Sequence, residues 1–215
     1  MFSGIIQELG RVRSLRRQAH RARLFVDCER VLAGLQPGGS IAVNGVCLTC
    51  EETDSRGFGA TLLAETLRAT NLAALKADVT VNLEPPLRMG DPIGGHFLQG
   101  HVDAAVRVIS LTKARGGKDA AVVCELPAEL RPFVFAGASI GLNGVSLTVR
   151  AVEADSFTVN LVAETLARTN LGGLLREERV NCEVDLIIKS VYHSLQAGVG
   201  KAELTPDALR RLGYD

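Results

Sequence analysis

Cysteine, histidine and serine supply the side chains of this chain whose types and spacing suit proton or nucleophile chemistry. Cys47 and Cys50 form a Cys-x-x-Cys, a spacing shared by metal and redox pairs. On a strand, residues three apart point to opposite faces, so two sulfurs there cannot share a metal at ~2.3 Å. No helix clearly begins at Cys47, as a thioredoxin-like pair requires. Read alone, Cys47 is a small buried hydrophobe. His96 and His101 have no acidic or thiol partner at metal-site spacing. His96 falls in Gly94-Gly95-His96, where a structural role in a turn is expected. Ser146 sits in no Gly-x-Ser-x-Gly elbow and no visible Ser-His-Asp set. Its hydroxyl is therefore read as a hydrogen-bonding or transiently nucleophilic group. With neither a Walker loop nor a dinucleotide fingerprint, chemistry free of metal, nicotinamide and ATP is expected.

The elements that must hold these residues occur twice. Residues 39–50 read GSIAVNGVCLTC and residues 138–149 read ASIGLNGVSLTV; residues 62–75 read LLAETLRATNLAAL and residues 161–174 read LVAETLARTNLGGL. Both pairs are offset by 99, with identity at 7 of 12 and 9 of 14 positions. Val81-Asn82-Leu83-Glu84 recurs at Val180-Asn181-Cys182-Glu183 with the same offset. A fainter echo sets Gly4-Ile5-Ile6 against Gly100-His101-Val102 at an offset of 96. A period near 100 exceeds the ~20–50 residues of a solenoid unit and indicates a duplicated domain. The duplication gives Cys47 the place of Ser146, and Ile5 the place of His101, so the two copies differ in polar groups. In that context Cys47 is read as a pocket residue.

Asn44-Gly45 and Asn143-Gly144 lie between apolar, β-branched runs, the strongest short hairpin signal. Further strands are expected over 4–13, 22–27, 79–84, 100–110, 120–125, 157–163 and 179–185. Short strands with Gly-rich turns indicate a sandwich or barrel. One short helix per copy is expected over 65–75 and 164–175. From Leu186 to Leu195, Ile187/Ile188, Val191 and Leu195 recur at helical spacing. Thr205-Pro206-Asp207 reads as the start of a last short helix. This tail has no counterpart in the first copy and suits oligomerisation.

Lys plus Arg and Asp plus Glu each total 24, and there is no Trp. No field draws nucleic acid or an anionic membrane, and stacking platforms for single strands are scarce. No apolar run approaches the ~18 residues of a span, and no secretory signal is seen. Five cysteines make an odd set of low density; a cytoplasmic protein is expected.

The stretches MFSGII, SIAVNGVCLTC, ETLRATNL, GGHFLQGHVD, SIGLNGVSLTV, ETLARTNL and NCEVDLI together resemble the riboflavin synthase α-chain family, in order and spacing, over nearly the whole chain. The resemblance implies an all-β protein: two tandem six-stranded antiparallel Greek-key β-barrels and a C-terminal α-helix. Barrels are expected over 1–96 and 97–187, with an oligomerisation tail over 188–215. It implies a homotrimer, no cofactor beyond the substrates, and dismutation of 6,7-dimethyl-8-ribityllumazine to riboflavin. A non-catalytic lumazine- or flavin-binding antenna protein of the same fold is the alternative.

The resemblance also implies the site residues. Gly4-Ile5-Ile6, Cys47-Leu48-Thr49 and Thr61-Leu62-Leu63-Ala64-Glu65-Thr66 match the first substrate pocket. Gly100-His101-Val102, Ser146-Leu147-Thr148 and Leu161-Val162-Ala163-Glu164-Thr165 match the second. Phe2 is expected near the substrate ring. Ser146, His101, Cys47, Thr148 and Asp185 are the expected catalytic groups, with His101 suited to relay a proton near neutral pH. Pro85-Pro86, Ala104-Ala105 and the Tyr192-His193 region depart from the family's usual residues.

Overall fold

The computed structural model describes residues 1–114, 116–197 and 210. The expected helix start at Thr205-Pro206-Asp207 lies outside the described residues. The first repeat contains β1 (Glu8–Gln18), β2 (Arg21–Asp27), β3 (Ser40–Val43), β4 (Val46–Thr49), β5 (Glu52–Asp54), β6 (Gly57–Leu63), α1 (Ala64–Ala69) and β7 (Thr80–Glu84). The second contains β8 (Ala104–Lys113), β9 (Ala120–Glu125), β10 (Ser139–Leu142), β11 (Val145–Val152), β12 (Ser156–Leu161), α2 (Ala163–Arg168) and β13 (Arg179–Val184), followed by α3 (Leu186–Gln196).

The second repeat closes as a six-stranded barrel in the order β10-β11-β12-β9-β8-β13. The first follows the same order as a seven-stranded sheet, β4-β3-β7-β1-β2-β6-β5. The extra strand comes from a break at Cys50–Glu51, which splits the counterpart of β11 into β4 and β5. β11 has its own register shift between Val149 and Ala151 at the equivalent point, so one irregularity serves both copies. Each repeat fills its own core. Leu24, Ile41, Phe58, Leu62 and Leu83 occupy the first, and Val122, Ile140, Phe157, Leu161 and Val180 the second.

Two sequence expectations change. The strands expected from residues 4 and 100 begin later, at Glu8 and Ala104, because Gly4 and Gly100 adopt φ values of +77° and +79° that a strand cannot continue. The helices expected over 65–75 and 164–175 are each divided. Thr70 and Thr169 are extended, and their hydroxyls donate back to Thr66 and Thr165 carbonyls while accepting from Leu72 and Leu171 N–H. A short 3-10 turn follows each. The two Asn-Gly turns form as expected, with positive φ at both residues.

Those turns also meet each other. A Cβ on Gly45 would lie 2.5 Å from Gly144 N, and one on Gly144 would lie 2.7 Å from Gly45 N. Around them, six asparagines bond reciprocally. Asn71 N–H and Asn170 N–H donate to Asn181 Oδ1 and Asn82 Oδ1. Asn82 Nδ2 and Asn181 Nδ2 donate to the Asn143 and Asn44 carbonyls. Such exchange of identical contacts is the mark of a two-fold relation, here between barrels of one chain.

Candidate active site

Alternation along two strands sets the chemistry on the outside of each barrel. In β4, Val46 and Leu48 turn inward with Cys50, leaving Cys47 half-buried and Thr49 exposed. In β11, Val145 and Val149 turn inward, leaving Ser146 half-buried and Thr148 exposed. Cys47 and Cys50 thus face opposite ways, as the strand argument requires. Leu48, Leu62 and Leu161 are core side chains, and Leu147 packs against the second core. The first three offer only backbone to the outer face, while Leu147 stays partly exposed.

The segments preceding β1 and β8 cross between the repeats. Gly4 carbonyl accepts from Ser146 N–H at 2.9 Å, and Gly100 carbonyl accepts from Cys47 N–H at 3.0 Å. A Cβ on Gly4 would stand 2.6 Å from Ser146 Cβ, and one on Gly100 would stand 2.5 Å from Cys47 Cβ. Positive φ and this approach both demand glycine. Ile6 packs on the second barrel's core and Val102 on the first. Within the chain, the segment that carries Gly4 and Ile6 thus meets the second repeat at Ser146, and the segment that carries Gly100 and Val102 meets the first at Cys47. His101 is exposed, and the Gly100 that precedes it meets Cys47 of the first repeat.

Beside Ser146 stands a group that sequence reasoning treated as part of a turn. His96 Nδ1 lies 2.7 Å from Ser146 Oγ. The ring is buried, and its Nε2 has no hydrogen-bond partner among the described residues. Burial lowers the proton affinity of His96, and Asp185 partly restores it. Asp185 itself accepts from Ile187 N–H at 2.8 Å, capping α3. The imidazole is thus held mainly neutral against a hydroxyl, with a carboxylate near enough to be felt. Nothing local in Gly94-Gly95-His96 announces a partner 50 residues away.

Other expected residues fall as follows. Phe2 is buried, 1% exposed, packed with Ala42 and Leu98 between the barrels. It plugs the seam. Thr61 Oγ1 donates to Glu51, which also receives Arg23. The equivalent pair in the second copy is Arg150 and Asn160, 3.5 Å apart, so the two outer faces differ in charge. Leu63 and Val162 are 64% and 57% exposed, as are Ala64, Glu65, Ala163 and Glu164, with Thr66 and Thr165 half-buried. These residues form an open rim on each barrel.

The lumazine binding domain family matches twice, over residues 3–85 and 99–185. Riboflavin synthase from Mycobacterium tuberculosis is 39% identical over 201 residues, covering 92% of this chain and 99% of the relative. The enzyme from Bacillus subtilis is 34% identical, covering 95% of each chain. The fold is similar to LumP complexed with riboflavin, at a TM-score of 0.80 and 24% identity over 86% of this chain and 99% of that one. With both repeats matched and the enzymes aligned almost end to end, the chain belongs to the riboflavin synthase family of tandem lumazine-binding domains.

Proposed function

We propose that this chain catalyses the riboflavin synthase reaction. One 6,7-dimethyl-8-ribityllumazine gives four carbons to another, producing riboflavin and 5-amino-6-(ribitylamino)pyrimidinedione. The observation that carries the reading is the pair of outer-face sites at Cys47 and Ser146, each closed by a glycine segment from the other repeat. Two copies of one substrate need two such sites. Holding them together contributes most: making a two-substrate step effectively unimolecular is worth roughly 7–11 kcal/mol. The carbanion at the carbon-7 methyl delocalises into the heterocycle, so the protein has chiefly to orient rings and move protons.

Ser146 and His96 are assigned to proton transfer beside one ring. The contact at 2.7 Å is within proton-transfer reach, and a mainly neutral imidazole can accept. Cys47 with His101 serves the other ring, Thr49 and Thr148 hydrogen-bond the substrates, and Asp185 tunes His96. The rims bearing Leu63 and Val162 are open in one chain, which supports closure by a neighbouring copy. Helix α3 supports a homotrimer. Ile188 and Tyr192 dock it on its own barrel, Tyr192 edge-on to Phe133 at 5.0 Å, while Ile187, Val191 and Leu195 are 59%, 53% and 61% exposed. The sequence units are taken as barrels over 1–96 and 97–187 and an assembly tail over 188–215. A cytoplasmic setting fits five free thiols.

The test is direct: purified protein is incubated with the lumazine alone, without metal, nicotinamide or ATP, and riboflavin is measured by absorbance and chromatography. Stoichiometric binding without turnover would favour the antenna-type reading, and dependence on a dialysable cofactor would overturn the mechanism.

A further inference from the structure

Glu84 and Glu183 hold equivalent places in the two repeats, and the chemistry above uses neither. Both are buried, 4% and 6% exposed, and neither makes an ion pair among the described residues. Glu84 accepts from Ser3 N–H at 2.7 Å, Ser3 hydroxyl at 2.8 Å and Gly4 N–H at 3.0 Å. Glu183 accepts from Gln99 N–H at 2.7 Å and Gly100 N–H at 3.0 Å. Burying a carboxylate opposes folding unless its bonds compensate. Here every such bond goes to a crossing segment.

Those segments lead to the pockets. Glu84 ends β7 of the first barrel, and the Gly4 it holds accepts from Ser146 of the second. Glu183 lies in β13 of the second barrel, and the Gly100 it holds accepts from Cys47 of the first. We propose that Glu84 and Glu183 are positioning residues, each acting from one barrel on the pocket built around the other barrel's strand. The two pockets are then coupled crosswise, an inference that rests on the function above only for its turnover readout.

The charged groups facing Glu183 are Asp103, which accepts from Val184 N–H at 3.0 Å, and Lys189 of α3, paired with Asp103 at 2.5 Å. Burial pushes the Glu183 carboxyl up to about 7, with Asp103 raising it and Lys189 lowering it. As the neutral acid, Glu183 has one oxygen protonated and its two-point hold on the backbone weakens.

Glu84→Gln and Glu183→Gln keep side-chain size and remove one acceptor oxygen. In ligand-free protein, iodoacetamide alkylation of the folded chain reports Cys47, since the other four thiols are buried; the His96 ring resonances report the Ser146 side. Glu183→Gln is expected to change the Cys47 alkylation rate several-fold and leave His96 unmoved. Glu84→Gln should shift His96 and leave the Cys47 rate alone. In turnover, kcat falls roughly tenfold to a hundredfold with KM little changed, and Glu183→Asp recovers part of the loss. Ser3→Ala removes one bond to Glu84 without touching the carboxylate; should Glu84→Gln fail to fold, it must give a smaller shift of His96. Each variant acting on its own barrel, both reporters moving in both variants, or neither moving in folded protein overturns the proposal. Because both reporters are read without ligand, a wild-type chain that made no riboflavin would sink the proposed function and leave the crosswise pattern to be judged separately.

Discussion

Ser146 Oγ lies 2.7 Å from His96 Nδ1, whereas Cys47, its counterpart 99 positions earlier, makes no side-chain hydrogen bond among the described residues. A duplication that keeps backbone, glycine crossings and rim has thus placed a hydroxyl–imidazole pair in one pocket and a lone thiol in the other. That chemical inequality gives two identical substrates a basis for different roles.

Ser146→Ala and His96→Gln are each expected to lower kcat by about two to three powers of ten, the usual loss for a group acting on transition-state charge. Lumazine affinity, read by fluorescence titration, should change little. Because the pair acts as a unit, the double variant should be no slower than the worse single one. His101→Gln alters a group proposed to serve the other ring, so combined with Ser146→Ala its effect should multiply. Multiplicative losses for Ser146 and His96 would separate them.

Much of this was legible in the sequence, and the exceptions share a cause. The Asn-Gly hairpins, the repeat and the amphipathic stretch after Leu186 are local or periodic signals, and they stand in the structure. Residues 4–7 and 100–103 carry β-branched and apolar side chains and read as strand. The left-handed Gly4 and Gly100 send them instead to the other barrel, where Ile6 and Val102 pack, partly buried, against its core. The His96–Ser146 contact spans 50 residues with no pattern to mark it. Asn71 and Asn170 were visible as repeated letters, yet their partners, Asn181 and Asn82, lie in the opposite repeat. Local propensity is silent on such contacts.

The raised Glu183 carboxyl bears on stability. Unfolded, it titrates near 4.5, and folded it titrates at about 7. The native state keeps this proton longer, so native stability falls as pH rises from about 4.5 to about 7 and is level above. Burial of His96 lowers its proton affinity, so its contribution runs the other way, present above the ordinary histidine range and lost as pH falls below it. Comparing Glu183→Gln with wild type isolates the glutamate. The variant is expected to lack the fall between about pH 4.5 and 7 in urea unfolding, worth a few kcal/mol at most. Parallel stability curves would contradict this.

Val191 lies between Ile187 and Leu195 on the exposed stripe of α3. Val191→Asp places a charge there without touching Ile188, Tyr192 or the Lys189–Asp103 pair that dock the helix. Sedimentation should show smaller particles with unchanged β-sheet circular dichroism. Turnover should fall in step, since the open rims would lose the neighbouring copy proposed to close them. An intact trimer carrying the aspartate would remove α3 from the interface.

Asn143 tests whether the Asn-Gly turns serve the hairpin alone or the seam as well. Its side-chain oxygen accepts from Asn71 Nδ2 and Asn181 N–H, both at 2.9 Å, and its φ is +45°. Asn143→Ala strands Asn181 N–H in the buried seam, at about 1–3 kcal/mol, leaves Asn71 Nδ2 only its bond to the Arg179 carbonyl at 3.0 Å, and adds about 1–2 kcal/mol for a left-handed alanine. Asn143→Gly loses the same two bonds but accepts the backbone freely, since Gly-Gly suits a type I′ turn. If the turn were only a hairpin, the glycine variant would match wild type. The structure instead sets both variants below wild type by at least about 1 kcal/mol, with alanine the lower of the two by about 1 kcal/mol. Asn44→Gly, whose side-chain oxygen accepts from Asn82 N–H and Asn170 Nδ2 at 2.8 and 2.9 Å, should lose a similar amount. Urea unfolding of the three variants decides it, and a wild-type midpoint for Asn143→Gly would strip the asparagine network of its role in joining the barrels.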